Sequence, residues 1–123
     1  MAEFRVLVVE DEWLVAEEHR YVLEEAGFGI VGPVPSVKLA IKLIETEAIS
    51  AAVLDIGLNG ETSAPLVPHL QHRKIPFVFV SGYTPSDVPE MLRAYPFLAK
   101  PVVATALVSA LNKMLGQDEQ EFG

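Results

Sequence analysis

Five short apolar runs, Phe4–Val9, Gly29–Gly32, Ile49–Leu54, Phe77–Val80 and Pro96–Ala99, alternate with longer segments whose apolar residues recur every three or four positions. Val6-Leu7-Val8-Val9 and Ala51-Ala52-Val53-Leu54 show no polar alternation, as expected of parallel strands covered on both faces. The intervening segments predict the helices that cover them. The first begins near Glu12 and stops before Gly27, with Leu14, Val22, Leu23 and Ala26 as its apolar face. The second has Ser36 as N-cap and carries Val37, Ala40, Ile41, Ile44 and Ala48 in one stripe. The third is capped by Ser63, has Pro65 in its first turn and Pro68 close behind, and reaches about His72. Between Pro85 and Tyr95 there is room for two or three turns at most. The last helix runs from about Ala104 to Leu115 on Leu107, Leu111 and Met114, and Gly116 ends it. The chain reads as α/β, a doubly wound (βα)5 unit with a five-stranded parallel sheet, forming one domain over residues 1–116 and a frayed acidic tail over 117–123.

Composition narrows the function. At 123 residues with 50% apolar content, one packed core is affordable and two domains are not. The net charge of -8 argues against a nucleic-acid surface, which needs clustered Lys and Arg, so this chain alone is not expected to bind DNA. No apolar run approaches a membrane span, and Phe4–Val9 is too short and too soon followed by acids for a signal peptide. Cysteine is absent, which removes disulfides and thiolate chemistry. A cytoplasmic protein is expected.

Candidate chemistry lies where the apolar runs stop. Glu10 and Asp11 follow the first run, Asp55 the third, Ser81 the fourth and Lys100 the fifth. Singly, each has an ordinary explanation: acids near a helix N-terminus favour its dipole, and a serine or lysine suits a turn or a surface. Together, at the carboxyl edge of one parallel sheet, they converge on the place where open α/β sheets build their sites. Carboxylates about 4 Å apart repel by about 4 kcal/mol at an effective dielectric of about 20, so three around one point call for a cation. All-oxygen ligands with room for water suit Mg²⁺, with Mn²⁺ an alternative. With Lys100 as a second charge and Ser81 as a hydroxyl donor, the set suits a phosphoryl group, and Asp55 at the end of the central strand is the natural nucleophile.

These residues resemble the receiver domains of two-component response regulators, over essentially the whole chain. That family has an acidic pair after its first strand, a phosphoacceptor Asp ending the third, Ser or Thr ending the fourth and Lys-Pro ending the fifth. Here those are Glu10-Asp11, Asp55, Ser81 and Lys100-Pro101. The resemblance implies a flavodoxin-like fold with strand order 2-1-3-4-5. It implies Mg²⁺ held by Asp11, Asp55 and the carbonyl of Gly57, with Glu10 acting through water, and a cis Lys100-Pro101 peptide. Phe97 takes the switch position where tyrosine is commoner, and would follow Ser81 inward on phosphorylation, remodelling the face of the fourth helix, fifth strand and fifth helix. Gly57 and Tyr83 take the positions that tune water access to the acyl phosphate. The implied partners are a histidine kinase or histidine phosphotransfer protein and a downstream protein target, with the chain a monomer or weak homodimer. It would not be an enzyme beyond self-phosphorylation from a donor and autodephosphorylation. VVEDE, LNGE and PFVFVSGY are also similar to stand-alone regulators served by HWE-type kinases and to the Phe-Ala-Thr-Gly subgroup, with Val80 and Ser81 replacing its Ala and Thr.

Three other functions draw on similar residues. A haloacid-dehalogenase-type phosphatase uses similar groups but wants Asp-x-Asp on the first strand, where this chain has the adjacent pair Glu10-Asp11. A flavodoxin-like nucleotide carrier needs a phosphate loop where Glu10-Asp11-Glu12 would repel the ligand. A degenerate receiver acting by binding alone would carry the same residues. Trp13 reads as a partly buried helix aromatic, and His19, His69 and His72 show no ligand spacing and are assigned no chemistry.

Overall fold

A computed structural model describes residues 4–83 and 87–117. In chain order the elements are β1 (Arg5–Val9), α1 (Trp13–Glu25), β2 (Gly29–Val34), α2 (Val37–Thr46), β3 (Ala51–Asp55), a hairpin of β4 (Gly57–Leu58) and β5 (Glu61–Thr62), α3 (Leu66–His72), β6 (Phe77–Ser81), a 3₁₀ turn (Glu90–Leu92), β7 (Phe97–Ala99) and α4 (Ala104–Met114). The five-stranded sheet is parallel throughout, in the order β2-β1-β3-β6-β7. With the hairpin set aside this is the flavodoxin-like order 2-1-3-4-5.

The unalternating apolar runs are explained by two cores, one on each face. Leu7, Val9, Ala52, Leu54, Phe77 and Phe79 point to one side, where α2 and α3 bring Ala40, Ile44, Leu66 and Leu70. Val6, Val8, Ala51, Val53, Val78 and Val80 point to the other and meet Leu23 of α1 and Leu107 and Leu111 of α4. The period of two along each strand sends successive side chains to opposite cores, so every position must be apolar. Ser36 caps α2, its Oγ accepting from the Leu39 N–H at 3.3 Å.

Several local expectations are corrected. On α1 the buried residues are Ala16, His19 and Leu23, whereas Leu14 and Ala26 are exposed. The inward stripe is one step around the helix from the most apolar one, and a histidine completes it. Trp13 is 71% exposed rather than partly buried. Ala48 lies beyond the end of α2 and is exposed. Ser63 does not cap α3: its carbonyl accepts from the Leu66 N–H at 2.9 Å, while its buried Oγ has no partner. Pro65 stands at the cap position instead, and Pro68 fits within the first turn, where no intrahelical N–H is required. Between β6 and β7 the described residues include a 3₁₀ turn at Glu90–Leu92, which starts after Pro89, a residue that lacks a donor and biases Val88 toward extended backbone. Both Gly32-Pro33 and Lys100-Pro101 are cis. The tail expected over 117–123 lies, from residue 118 onward, outside the described residues, as do residues 84–86 of the segment after β6.

Candidate functional site

The parallel arrangement puts the carboxyl ends of β1, β3, β6 and β7 at one edge, and with them Glu10, Asp11, Asp55, Ser81 and Lys100. Carboxylate oxygens of Glu10, Asp11 and Asp55 all lie within 4.8 Å of one another. Glu10 and Asp55 are buried, at 3% and 6% exposure, so their charges are poorly screened by water. Lys100 Nζ lies 2.8 Å from Glu10 Oε1 and 3.2 Å from Asp55 Oδ2. Its contact with Asp55 is a hydrogen bond; that with Glu10 is a charge contact without hydrogen-bond alignment. One ammonium thus faces two buried carboxylates.

The electrostatics follow from that imbalance. Burial, then the hydrogen bond and charge of Glu10, push the Asp55 carboxyl up from its ordinary 3.8 to about 7, against the opposing pull of Lys100. Lys100 is held above its usual value: burial works against its charge, and Glu10 and Asp55 outweigh it. The donor set therefore fits a divalent cation by its chemistry: hard oxygens only, drawn together in excess of the positive charge available to them.

Local structure fixes each side chain. Glu10 Oε2 accepts from the Glu12 N–H at 3.1 Å, which ties the acid to the start of α1. Asp11 Oδ2 accepts from the Asn59 N–H at 3.0 Å, so the β4–β5 hairpin orients it. That hairpin turns at Asn59-Gly60, where both residues have positive φ, 47° and 85°. Such a two-residue turn favours Asn-Gly, and the LNGE segment carried that signal. Ser81 Oγ, 1% exposed, accepts from the Tyr83 N–H at 2.9 Å, leaving its own proton free to donate.

The cleft above Asp55 encloses about 710 Å³, and Gly57, Thr62, Ser81, Tyr83 and Lys100 all line it. A Cβ built on Gly57 would stand 3.0 Å from Tyr83 Oη, so the phenol lies directly over that glycine. Phe97 is half-buried, paired in register with Phe79 and packed against the core shared by Phe77, Phe79 and Tyr95. It does not line the cleft. His19 is buried with Nδ1 unpartnered, and burial holds its pKa below the usual 6.5. His69 and His72 sit beside Glu45 and Arg73 in a separate groove between α2 and α3, away from the acids. Glu12 and Asn59 were not read from sequence as site residues. Glu12 Oε1 is 3.6 Å from Lys100 Nζ.

Comparison with known proteins points the same way. The sequence pattern of the response regulator receiver domain matches residues 6–112. The solution structure of SdrG from Sphingomonas melonis Fr1 superposes with a TM-score of 0.80 at 37% identity, covering 91% of this chain and 96% of that one. The BeF3-activated conformation of SdrG, from Pseudomonas melonis Fr1, gives 0.79 at 36% identity over 93% and 98% of the two chains. A curated relative, the transcriptional regulatory protein PdtaR of Mycobacterium tuberculosis, is 26% identical over 112 residues, 88% of this chain. The chain spans about half the length of the curated relatives it matches, 55%.

Proposed function

This chain belongs to the response regulator receiver domain family, and from that premise we propose that Asp55 is the carboxylate on which it accepts a phosphoryl group. As a receiver domain it is a signalling module of a two-component system, which implies a histidine kinase or phosphotransfer partner. The phosphatase alternative is not favoured, because the acid order and the family pattern both run against it.

The observation that carries the assignment is the setting of Asp55: buried at the end of the central strand, 3.2 Å from Lys100 and grouped with the oxygens of Glu10 and Asp11. Asp11, Asp55 and the Gly57 carbonyl would hold Mg²⁺, or Mn²⁺ in its place, with Glu10 acting through water. The ion supplies charge neutralisation for the phosphoryl oxygens and the carboxylates. In the transfer, an Asp55 oxygen attacks phosphorus, the P–N bond to the donor imidazole breaks, and the nitrogen keeps the electron pair. Lys100 neutralises a phosphoryl oxygen from the opposite side, and Ser81 donates its hydroxyl proton to another. Tyr83, lying over Gly57, shields the acyl phosphate from water.

Phosphorylation draws Ser81 from its contact with the Tyr83 N–H, and Phe97 adjusts its packing against Phe79 as the neighbouring segment follows. The resulting change in the face of β7 and α4 is what a downstream protein reads. The domain is residues 1–116, cytoplasmic, a monomer or weak homodimer, and the motifs VVEDE, LNGE and PFVFVSGY support an HWE-type kinase as donor. Incubation with acetyl phosphate, with and without Mg²⁺, followed by intact mass measurement, tests the assignment. A metal-dependent gain of one phosphoryl group, absent in Asp55→Asn, is expected. Equal phosphorylation of the variant would remove Asp55 from the role.

A further inference from the structure

Glu12 stands at the mouth of the cleft with 66% of its side chain in water and Oε1 3.6 Å from Lys100 Nζ. Glu10 approaches the same ammonium at 2.8 Å from inside, 1% exposed. An exposed pair as long as that of Glu12 adds little to stability. Its consequence lies in what it does to charges approaching the cleft. Among the described lining residues, Asp11, Glu12, Asp55 and Glu61 face a single cation, Lys100. Asp11 and Asp55 belong to the cation cluster, whereas Glu12 lies on the rim with no cation of its own beyond the shared lysine. A donor entering the cleft approaches Lys100 and Asp55 within the field of that charge.

We propose that Glu12 is a specificity-determining residue, a rim charge that disfavours small dianionic acyl phosphates as phosphoryl donors relative to phosphoramidates, whose nitrogen offsets part of the phosphoryl charge. The proposal rests on the reading of Asp55 as acceptor. With acetyl phosphate, an Asp55 oxygen bonds to phosphorus, the P–O bond to the acetyl group breaks, and acetate leaves with the electron pair. With phosphoramidate, whose nitrogen already carries its proton as an ammonium on phosphorus, an Asp55 oxygen bonds to phosphorus, the P–N bond breaks, and the nitrogen keeps the electron pair and leaves as ammonia.

The two donors separate two effects that Glu12 has on the site. Freeing Lys100 from a competing carboxylate aids any phosphoryl group, so it would speed both donors alike. Removing a rim charge aids a dianion more than a species of about one net negative charge. At low ionic strength, a unit charge acting through water at roughly 7 Å changes the approach of a dianion by about five-fold and of a monoanion by about two-fold.

The experiment measures initial phosphorylation rates of the intact chain by mass, at pH 7 with saturating Mg²⁺, for wild type, Glu12→Gln and Glu12→Asp. Acetyl phosphate and phosphoramidate are the donors, each at low and high salt. In Glu12→Gln the ratio of acetyl phosphate rate to phosphoramidate rate is expected to rise two- to three-fold at low salt and to return toward the wild-type ratio at high salt. Glu12→Asp, which keeps the charge, should stay near wild type. A ratio unchanged in Glu12→Gln, with both donors moved alike or neither moved, would overturn the rim-charge role while leaving Asp55 as acceptor. If no donor phosphorylates any of the three proteins, the acceptor reading falls and the proposal falls with it.

Discussion

Replacing Asp55 by Asn should stabilise the metal-free protein at alkaline pH, although it destroys the nucleophile. Burial and Glu10 raise the Asp55 carboxyl to about 7, from 3.8 in the unfolded chain. Between those values the folded state holds a proton that the unfolded state has lost, so stability falls as pH rises from about 4 to about 7, and above that the full cost is present. Each tenfold change in acidity is about 1.4 kcal/mol, giving about 4 kcal/mol if Asp55 alone bore it. Asn removes the repulsion from Glu10 but also the 3.2 Å contact with Lys100, so about half should be recovered, about 2 kcal/mol. For a domain of this size that is about 8 °C in Tm. The assay is thermal unfolding in EDTA at about pH 5 and about pH 8, repeated with Mg²⁺. The variant should be more stable only at the higher pH, and Mg²⁺ should stabilise wild type but not the variant. Equal stability of the two proteins in EDTA at about pH 8, or a gain of the same size at both pH values, would refute the account of a crowded carboxylate cluster.

Other consequences are as direct. Lys100→Met leaves Glu10 and Asp55 without their shared cation; it should cost about 2–3 kcal/mol in urea unfolding without metal at about pH 8, and less with Mg²⁺. Tyr83→Ala uncovers Gly57 and should shorten the half-life of the phosphorylated protein several-fold, followed by loss of the added mass over time. His19 is buried neutral, its pKa lowered by burial, so stability is lost as pH falls below the usual 6.5, where only the unfolded chain takes up a proton. His19→Leu should therefore flatten the acid limb of the stability profile between about pH 5 and about pH 7, measured by denaturant midpoint. Leu23→Ala, fully buried between α1 and the sheet, should cost about 3 kcal/mol by the same method.

The sheet and its chemical edge were legible because both rest on one strong signal. A parallel strand buried on both faces must be apolar along its length, so the first polar residue marks where it leaves the core. Glu10, Asp55, Ser81 and Lys100 were found that way, and the sheet brings them to one edge. What failed depends on tertiary context. The face of α1 was misread because Leu14 and Trp13 are exposed while His19 is buried; apolar count does not tell which stripe the sheet covers. The hairpin was missed although Asn59-Gly60 is a strong turn signal, because its strands are only two residues each and show no periodicity. Glu12 carries no site signal of its own, because nothing in a linear sequence places it beside Lys100, 88 positions on.

The most direct test of Asp55 as acceptor is to trap the phosphorylated protein with borohydride, which reduces an acyl phosphate to the alcohol, and to map the modified peptide by mass spectrometry. Homoserine is expected at position 55, formed only when Mg²⁺ and donor were both present. Reduction at Glu10, Asp11 or Glu12 instead, with Asp55 intact, would contradict it.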